Sequence, residues 1–281
     1  MQSLLSKIVA KYNLVLKDYK PLSGSALNHV FKITTNQADY FVKLNNSKNS
    51  TAMFHAEALG LELLRTSKSF IIPKVIGHGT IEEYGYLLID FISQEKPSQD
   101  FWETFANNLV KLHKTSQENF GLDHDNFIAY LPQHNSKEEL AVDFYIKQRL
   151  KPQFNLAKGN GYDFGDLNSF YGNISGLIPE EKPSLLHGDL WNGNFLISEN
   201  GTPVLIDPAV CFGNREMDIA MMHLFGGFPS EVFKQYHSTF PLVYGWEDRI
   251  PLFQLYYILV HVNLFGGSYF HQAKEIVNRF S

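Results

Sequence analysis

The chain has 281 residues, 44% apolar and 19% charged, with a net charge of −5 and a pI near 6.1. That length allows one large domain or two lobes with a sizeable core, and no basic tract or aromatic-basic interleaving points to nucleic acid. The single Cys211 rules out an intramolecular disulfide and fits a reducing, cytoplasmic setting. The N-terminal residues lack the apolar core and cleavage site of a signal peptide. The longest apolar stretch, 252–265, is interrupted by Gln254, His261 and Asn263; it is too short and too polar for a membrane span and reads as a buried helix.

Taken in chain order, residues 3–13 form an amphipathic helix, followed by strand-like runs at 15–19, 30–34 and 40–44. Residues 51–66 have helical spacing, with Phe54, Ala58 and Leu61 on one face. Strands return at 75–79 and 86–91. The polar, Pro-bearing segment 93–100 then reads as a link. The remainder is mostly helical, over 101–114, 137–154, 162–177, 215–225, 230–239 and 251–280, with a strand-loop-strand unit at 183–208. Five strands and a helix followed by a helical half predict an α+β, bilobal, protein-kinase-like plan. The nucleotide-binding lobe would be 1–92 and the catalytic and substrate-binding lobe 93–281.

Several residues carry a chemical signal. Asp189 and Asn194, in His187-Gly188-Asp189-Leu190-Trp191-Asn192-Gly193-Asn194, keep the D-x-x-x-x-N spacing of a kinase catalytic loop. Asp207 ends the apolar run Val204-Leu205-Ile206, where a metal-binding Asp belongs. Phosphoryl transfer needs a carboxylate to orient the attacking hydroxyl and further oxygen ligands to hold Mg²⁺ on ATP. Taken alone, H-G-D is usually a turn and an Asp closing a strand is usually a cap; the three together between apolar strands predict Asp189 as catalytic and Asn194 and Asp207 as metal ligands. Upstream, the small-residue loop Ser23-Gly24-Ser25 to Asn28 offers backbone N–H groups to phosphates, though one Gly alone marks only a hairpin turn. Glu57 lies three residues after Phe54 and four before Leu61, so it shares the helix's apolar face and needs a cationic partner. Lys43, on the preceding strand, is the candidate, presenting its ammonium to the phosphates. Ile89, Asp90 and Phe91 fall where an adenine-contacting hinge belongs. His187 and Asp218 read as structural support, with Asp218 either favouring its helix dipole or bracing the loop from below. Trp191 is either loop packing or a plate on which a sugar stacks, closing a small polar acceptor pocket.

The segments LSGSALN (22–28), FGLDHDNFIAYLPQHN (120–135), DFYIKQRLKPQ (143–153), HGDLWNGN (187–194), LIDPAVCFGNREMDIAMMHLFGGFP (205–229) and YILVHVNLFGGSYFHQA (257–273) extend the picture over nearly the whole chain. On them the chain resembles the fructosamine kinase (ketosamine-3-kinase) family, relatives of the aminoglycoside and choline phosphotransferases. The resemblance implies ATP- and Mg²⁺-dependent phosphorylation of a small-molecule or protein-bound ketosamine at the sugar O3. The resulting labile 3-phosphate frees the amine, a deglycation repair, and bacterial-type members prefer ribulosamines and erythrulosamines over fructosamines. Ser25 and Ala26 stand where the family has a second Gly and a Cys, which argues against redox control through that Cys. Two alternatives remain open at this point: a kinase of another small hydroxylated amine or sugar, and a nucleotide-binding regulator without turnover.

Overall fold

The computed structural model describes residues 1–23 and 28–281. Helix α1 (Gln2–Ala10) precedes a five-stranded antiparallel sheet of β1 (Leu16–Leu22), β2 (His29–Thr35), β3 (Asp39–Asn45), β4 (Val75–Ile81) and β5 (Tyr84–Asp90), in the order β1-β2-β3-β5-β4. Helix α2 (Ser50–Thr66) crosses between β3 and β4. The two-residue side-chain period of a strand decides which face does what. Tyr40, Val42 and Leu44 of β3, with Tyr86 and Leu88 of β5, pack under α1 against Leu5 and Ile8. The other face carries Phe41 and Lys43 of β3 and Leu87 and Ile89 of β5, and it meets α2 through Phe54 and Leu61. Lys43 is therefore not an edge residue but the centre of the sheet's inner face.

Among the described residues the rest is helical apart from three short strand pairs. It comprises α3 (Phe101–His113), the hairpin β6 (Asn126–Ile128) and β7 (Leu131–Gln133), α4 (Ala141–Asp143), a π-helical stretch (Phe144–Leu150), α5 (Lys151–Gly159), α6 (Asn168–Ser175), β8 (Ser184–Leu186), β9 (Phe195–Ile197), β10 (Pro203–Leu205), β11 (Cys211–Gly213), α7 (Glu216–Leu224), α8 (Ser230–Thr239), α9 (Trp246–Phe265) and α10 (Ser268–Phe280). Strand β8 pairs with β11 and β9 with β10. No helix among the described residues is long and apolar enough to cross a membrane.

Three helices expected from periodicity differ in extent. The one expected at 137–154 starts at Ala141, runs through the π-helical stretch and ends at Gly159. The one expected at 162–177 shrinks to α6. Upstream of it, the Asp163 and Asp166 carboxylates take the backbone N–H groups of Gly165 (2.9 Å) and Asn168 (3.1 Å), and side chains that bond their own backbone compete with helix. The one expected at 251–280 is two helices, because Gly266 and Gly267 take φ of +64° and +62°. The β6–β7 hairpin has no counterpart among the expected elements; three-residue strands are too short to show a period.

Residues 91–100 form no regular element beyond a bridge from Gln94 to Ser198. One hydrophobic core nevertheless joins α2 to the helical part: Phe54, Leu61 and Leu64 share it with Phe101, Phe105, Leu109 and Leu205. Leu205 N–H also donates to Ile71 O (3.1 Å), tying β10 to the chain after α2. Phe105 sits at the middle of this seam, its ring 5.1 Å from Phe70, 5.6 Å from Phe195 and 5.5 Å from Phe228, centroid to centroid. Phe105→Ala should cost about 3–5 kcal/mol of stability, since a fully buried ring leaves a cavity that its aromatic neighbours only partly fill. Denaturant titration checks this; a loss under about 1 kcal/mol would mean that the seam repacks freely.

Candidate active site

The site is built on the loop between β8 and β9, and that loop hangs from one buried carboxylate. Asp218, the third residue of α7, has no solvent exposure. Its Oδ2 accepts from His187 N–H (2.8 Å) and its Oδ1 from Gly188 N–H (2.9 Å). His113 Nε2 also donates to Oδ2 (3.2 Å), and His113 Nδ1 takes the Tyr236 hydroxyl (2.7 Å). Of the two roles expected for Asp218, it has the geometry of the brace. His187 is fully buried: its Nε2 donates to Ile206 O (2.9 Å) and its Nδ1 accepts from Asp189 N–H (3.3 Å). Burial lowers its pKa, which suits the neutral tautomer these two bonds need. Gly188 has φ +82°, and a Cβ there would lie 2.0 Å from Ala209 O, so no larger residue fits.

Asn194 is the junction of the loop. Its Nδ2 donates to Asp189 O (2.8 Å), to Asp189 Oδ2 (3.0 Å) and, at 3.4 Å, to Asp207 O. The amide nitrogen is fully engaged in these bonds. Asp207 takes a left-handed φ of +54° just after β10, and its side chain remains about half exposed. Its Oδ1 accepts from Lys43 Nζ, which also donates to Glu57 Oε1 (2.7 Å). Lys43, Glu57 and Asp207 thus form one contiguous ion cluster, and the Lys43–Glu57 pairing expected from the spacing on β3 and α2 is present. Helix α2 comes close enough for this because Gly60 passes the Pro208 and Val210 side chains, where a Cβ would meet Val210 Cγ2 at 3.2 Å.

Burial alone would lower Lys43, but the Asp207 and Glu57 carboxylates outweigh it and hold the ammonium above its ordinary range. Burial pushes Glu57 up against the pull of Lys43. Burial likewise pushes Asp189 up to about 7, with Asp207 and Asp218 adding to the rise and the Asn194 bond opposing it. Asp189 is therefore poised to take up a proton near neutrality.

Two cavities open on either side of this cluster. One, of ≈ 340 Å³, is lined by Ser23, Phe41, Lys43, Ile89, Asp90, Phe91, Gln94, Gly193 and Asp207 among others. It brings together most of the residues expected to hold a nucleotide. Asn28 stands apart from this lining, its Oδ1 accepting from Asn45 Nδ2 (2.9 Å); Gly24 and Ser25 lie outside the described residues. The other, of ≈ 300 Å³, is lined by Asp189 and Trp191 with Phe225, Tyr257, His261 and Phe265, and aliphatic side chains complete it. Trp191 is 38% exposed, and its indole meets Phe225 edge-on at 6.1 Å. The expected small polar pocket is instead mostly apolar and aromatic. Its α9 wall escaped the sequence reading, although Tyr257, Val260, His261 and Leu264 follow the i, i+3, i+4, i+7 spacing of one helix face. The polar interruption at His261 was the available signal.

A family model described as fructosamine kinase matches residues 2–281. A probable ketoamine kinase of Lactiplantibacillus plantarum is 39% identical over 271 residues, covering 94% of this chain and 95% of that protein. One from Enterococcus faecium is 38% identical over 279 residues, covering 95% and 98%. The crystal structure of a putative fructosamine-3-kinase from Haemophilus somnus matches with a TM-score of 0.90 at 27% identity, covering 100% of this chain and 97% of that one. An aminoglycoside phosphotransferase matches with a TM-score of 0.63 at 17% identity, covering all of both chains, a likeness of fold alone. Together with a catalytic-loop geometry that spans two cavities, these matches place the chain in the fructosamine kinase family, on the protein-kinase-like fold shared with the aminoglycoside phosphotransferases.

Proposed function

We propose that this protein transfers the γ-phosphoryl group of ATP to a sugar hydroxyl, O3, of a ketosamine, as a deglycation kinase working in the cytoplasm. The observation that carries the reading is a pair of cavities, one lined by Asp207, Lys43 and the end of β5, the other by Asp189 and aromatic rings, with Asn194 bonded to both Asp189 and Asp207. Rings stack on the C–H faces of sugars and cations, and a ketosamine joins a sugar to one amine. Among the described residues that line it, Asp189 is the acceptor cavity's only carboxylate. That suits a singly charged amine better than a polycationic aminoglycoside, which would need several acidic partners.

Each residue has a defined task in this reaction. Asp189 accepts the proton of the attacking hydroxyl while the oxygen forms its bond to phosphorus and ADP leaves. Lys43 steadies the phosphates and Glu57 holds Lys43 in place. The backbone of Ile89 to Phe91 contacts the base, and Ser23 borders the phosphates. Asn194 Oδ1 and the Asp207 carboxylate are hard oxygen donors that fit Mg²⁺, an ion that takes few protein ligands and completes its shell with phosphate and water. When bound, Mg²⁺ neutralises charge on the phosphates. Trp191 is the plate against the sugar. The 3-phosphate is labile, and its breakdown releases the amine.

Asp189→Asn should lower the transfer rate by about 10²–10⁴ with ATP affinity nearly unchanged. Mass spectrometry of ribulosyl-lysine incubated with Mg²⁺ and ATP reads the product, and no phosphorylated ketosamine from the wild type would end the proposal.

Because the base must be unprotonated, kcat/KM should rise with pH through about 7 and level above it. An acid limb confined to the ordinary carboxylate range would remove Asp189 from that role.

Lys43→Met and Glu57→Gln should impair the same step and combine to much less than the sum of their effects, as expected for one ion pair. Fully additive losses in a double-mutant cycle would separate them.

Trp191→Ala should weaken acceptor use by about 1–3 kcal/mol, leaving the nucleotide KM nearly unchanged. An unaltered acceptor kcat/KM would return Trp191 to loop packing.

A further inference from the structure

One tyrosine lining the acceptor cavity has a hydroxyl that the reaction above leaves unused. Tyr257 is 1% exposed and lines the cavity beside Asp189, yet among the described residues its hydroxyl has no hydrogen-bond partner. The other deeply buried tyrosines are all bonded. Tyr86 meets Tyr12 Oη (2.9 Å), Tyr145 donates to Leu252 O (2.6 Å), Tyr236 pairs with His113 Nδ1 (2.7 Å) and Tyr256 donates to Gln133 Oε1 (2.7 Å). A buried hydroxyl left unbonded is destabilising relative to Phe, so the fold itself gains nothing from this oxygen. The neighbouring polar ring on the same helix face is partly occupied: His261 Nδ1 donates to Tyr257 O (2.8 Å), within α9.

We propose that the Tyr257 hydroxyl is an acceptor-recognition contact, donating a hydrogen bond to a sugar hydroxyl other than the one phosphorylated. This rests on the ketosamine reading of the cavity. The aromatic walls supply stacking but no direction. A single donor on a rigid helix fixes the rotation of a sugar that lies against Trp191, and so decides which hydroxyl reaches Asp189. Burial holds the Tyr257 phenol well above its ordinary range, so the hydroxyl keeps its proton and remains a donor throughout the working pH range.

Tyr257→Phe removes this oxygen and nothing else. With Mg²⁺, ATP and ribulosyl-lysine, the acceptor KM should rise about threefold to tenfold, the worth of one hydrogen bond. The KM for ATP should stay the same, and the melting temperature should be unchanged or higher. Acceptors lacking one sugar hydroxyl in turn provide the second readout. One of them should lose affinity for the wild type and be used equally by wild type and Tyr257→Phe. Tyr145→Phe, which breaks a bond inside the fold, should do the opposite: a lower melting temperature with the acceptor KM unaltered. An unchanged acceptor KM in Tyr257→Phe, or a melting loss like that of Tyr145→Phe, would overturn the assignment. If the wild type leaves ketosamines untouched but phosphorylates another hydroxylated amine, the acceptor reading fails. The same comparison made on that amine then decides Tyr257 separately, by whether its KM responds.

Discussion

The buried ammonium of Lys43 ties the five-stranded sheet, α2 and the segment after β10 together. It is 5% exposed and lies between the carboxylates of Glu57 and Asp207. Those three residues come from β3, from α2 and from the turn after β10, which are distant in sequence. A charge buried that deeply is tolerable only when paired, and removing one partner of such a pair typically costs about 3–5 kcal/mol. The cluster therefore constrains where α2 sits on the sheet and how the sheet sits over the catalytic loop. It also gives Asp207 a cationic neighbour from within the protein, so a bound cation and Lys43 would act on the same carboxylate.

A second buried charge governs the loop from below. Asp218 spends both oxygens on backbone N–H groups of His187 and Gly188, and it is itself held by His113. Tyr236 connects His113 to Arg215, whose guanidinium pairs with Glu181 (2.6 Å). The loop's backbone is thus fixed by a largely buried network, leaving Asp189 to face the aromatic cavity. A buried, satisfied network of this kind fixes the loop's backbone in advance of any ligand.

The cavity beside Asp189 differs in kind from the one beside Lys43. Its walls are aromatic and aliphatic, and its polar atoms are few: the Asp189 carboxylate, the Tyr257 hydroxyl and the His261 ring. The exposed rings of Phe225 and Phe265 extend it outwards to solvent. A cavity of this chemistry selects by shape and stacking, with a small number of directional bonds setting orientation.

The sequence by itself determined the five strands and the helix of the first part, the largely helical character of the rest, the strands on either side of the 187–194 loop, and the pairing of Lys43 with Glu57. Local rules decide all of these. The two-residue period of β3 put Lys43 opposite Tyr40, Val42 and Leu44, and the 3.6-residue period of α2 put Glu57 on the face of Phe54 and Leu61. Fixed spacing carried Asp189 to Asn194. Only the tertiary structure decided what depends on elements far apart in the chain. The need for Gly at 188 comes from the Ala209 carbonyl, and the contact of Asp207 with Lys43 comes from the docking of β10 beside α2. The wall of the cavity beside Asp189 comes from α9 packing against α7, which brings Tyr257 and His261 into one lining with Asp189. The breaks at Gly266-Gly267 and before α6 were lost to periodicity, because two φ > 0 residues or two Asp side chains interrupt a helix without altering its apolar pattern.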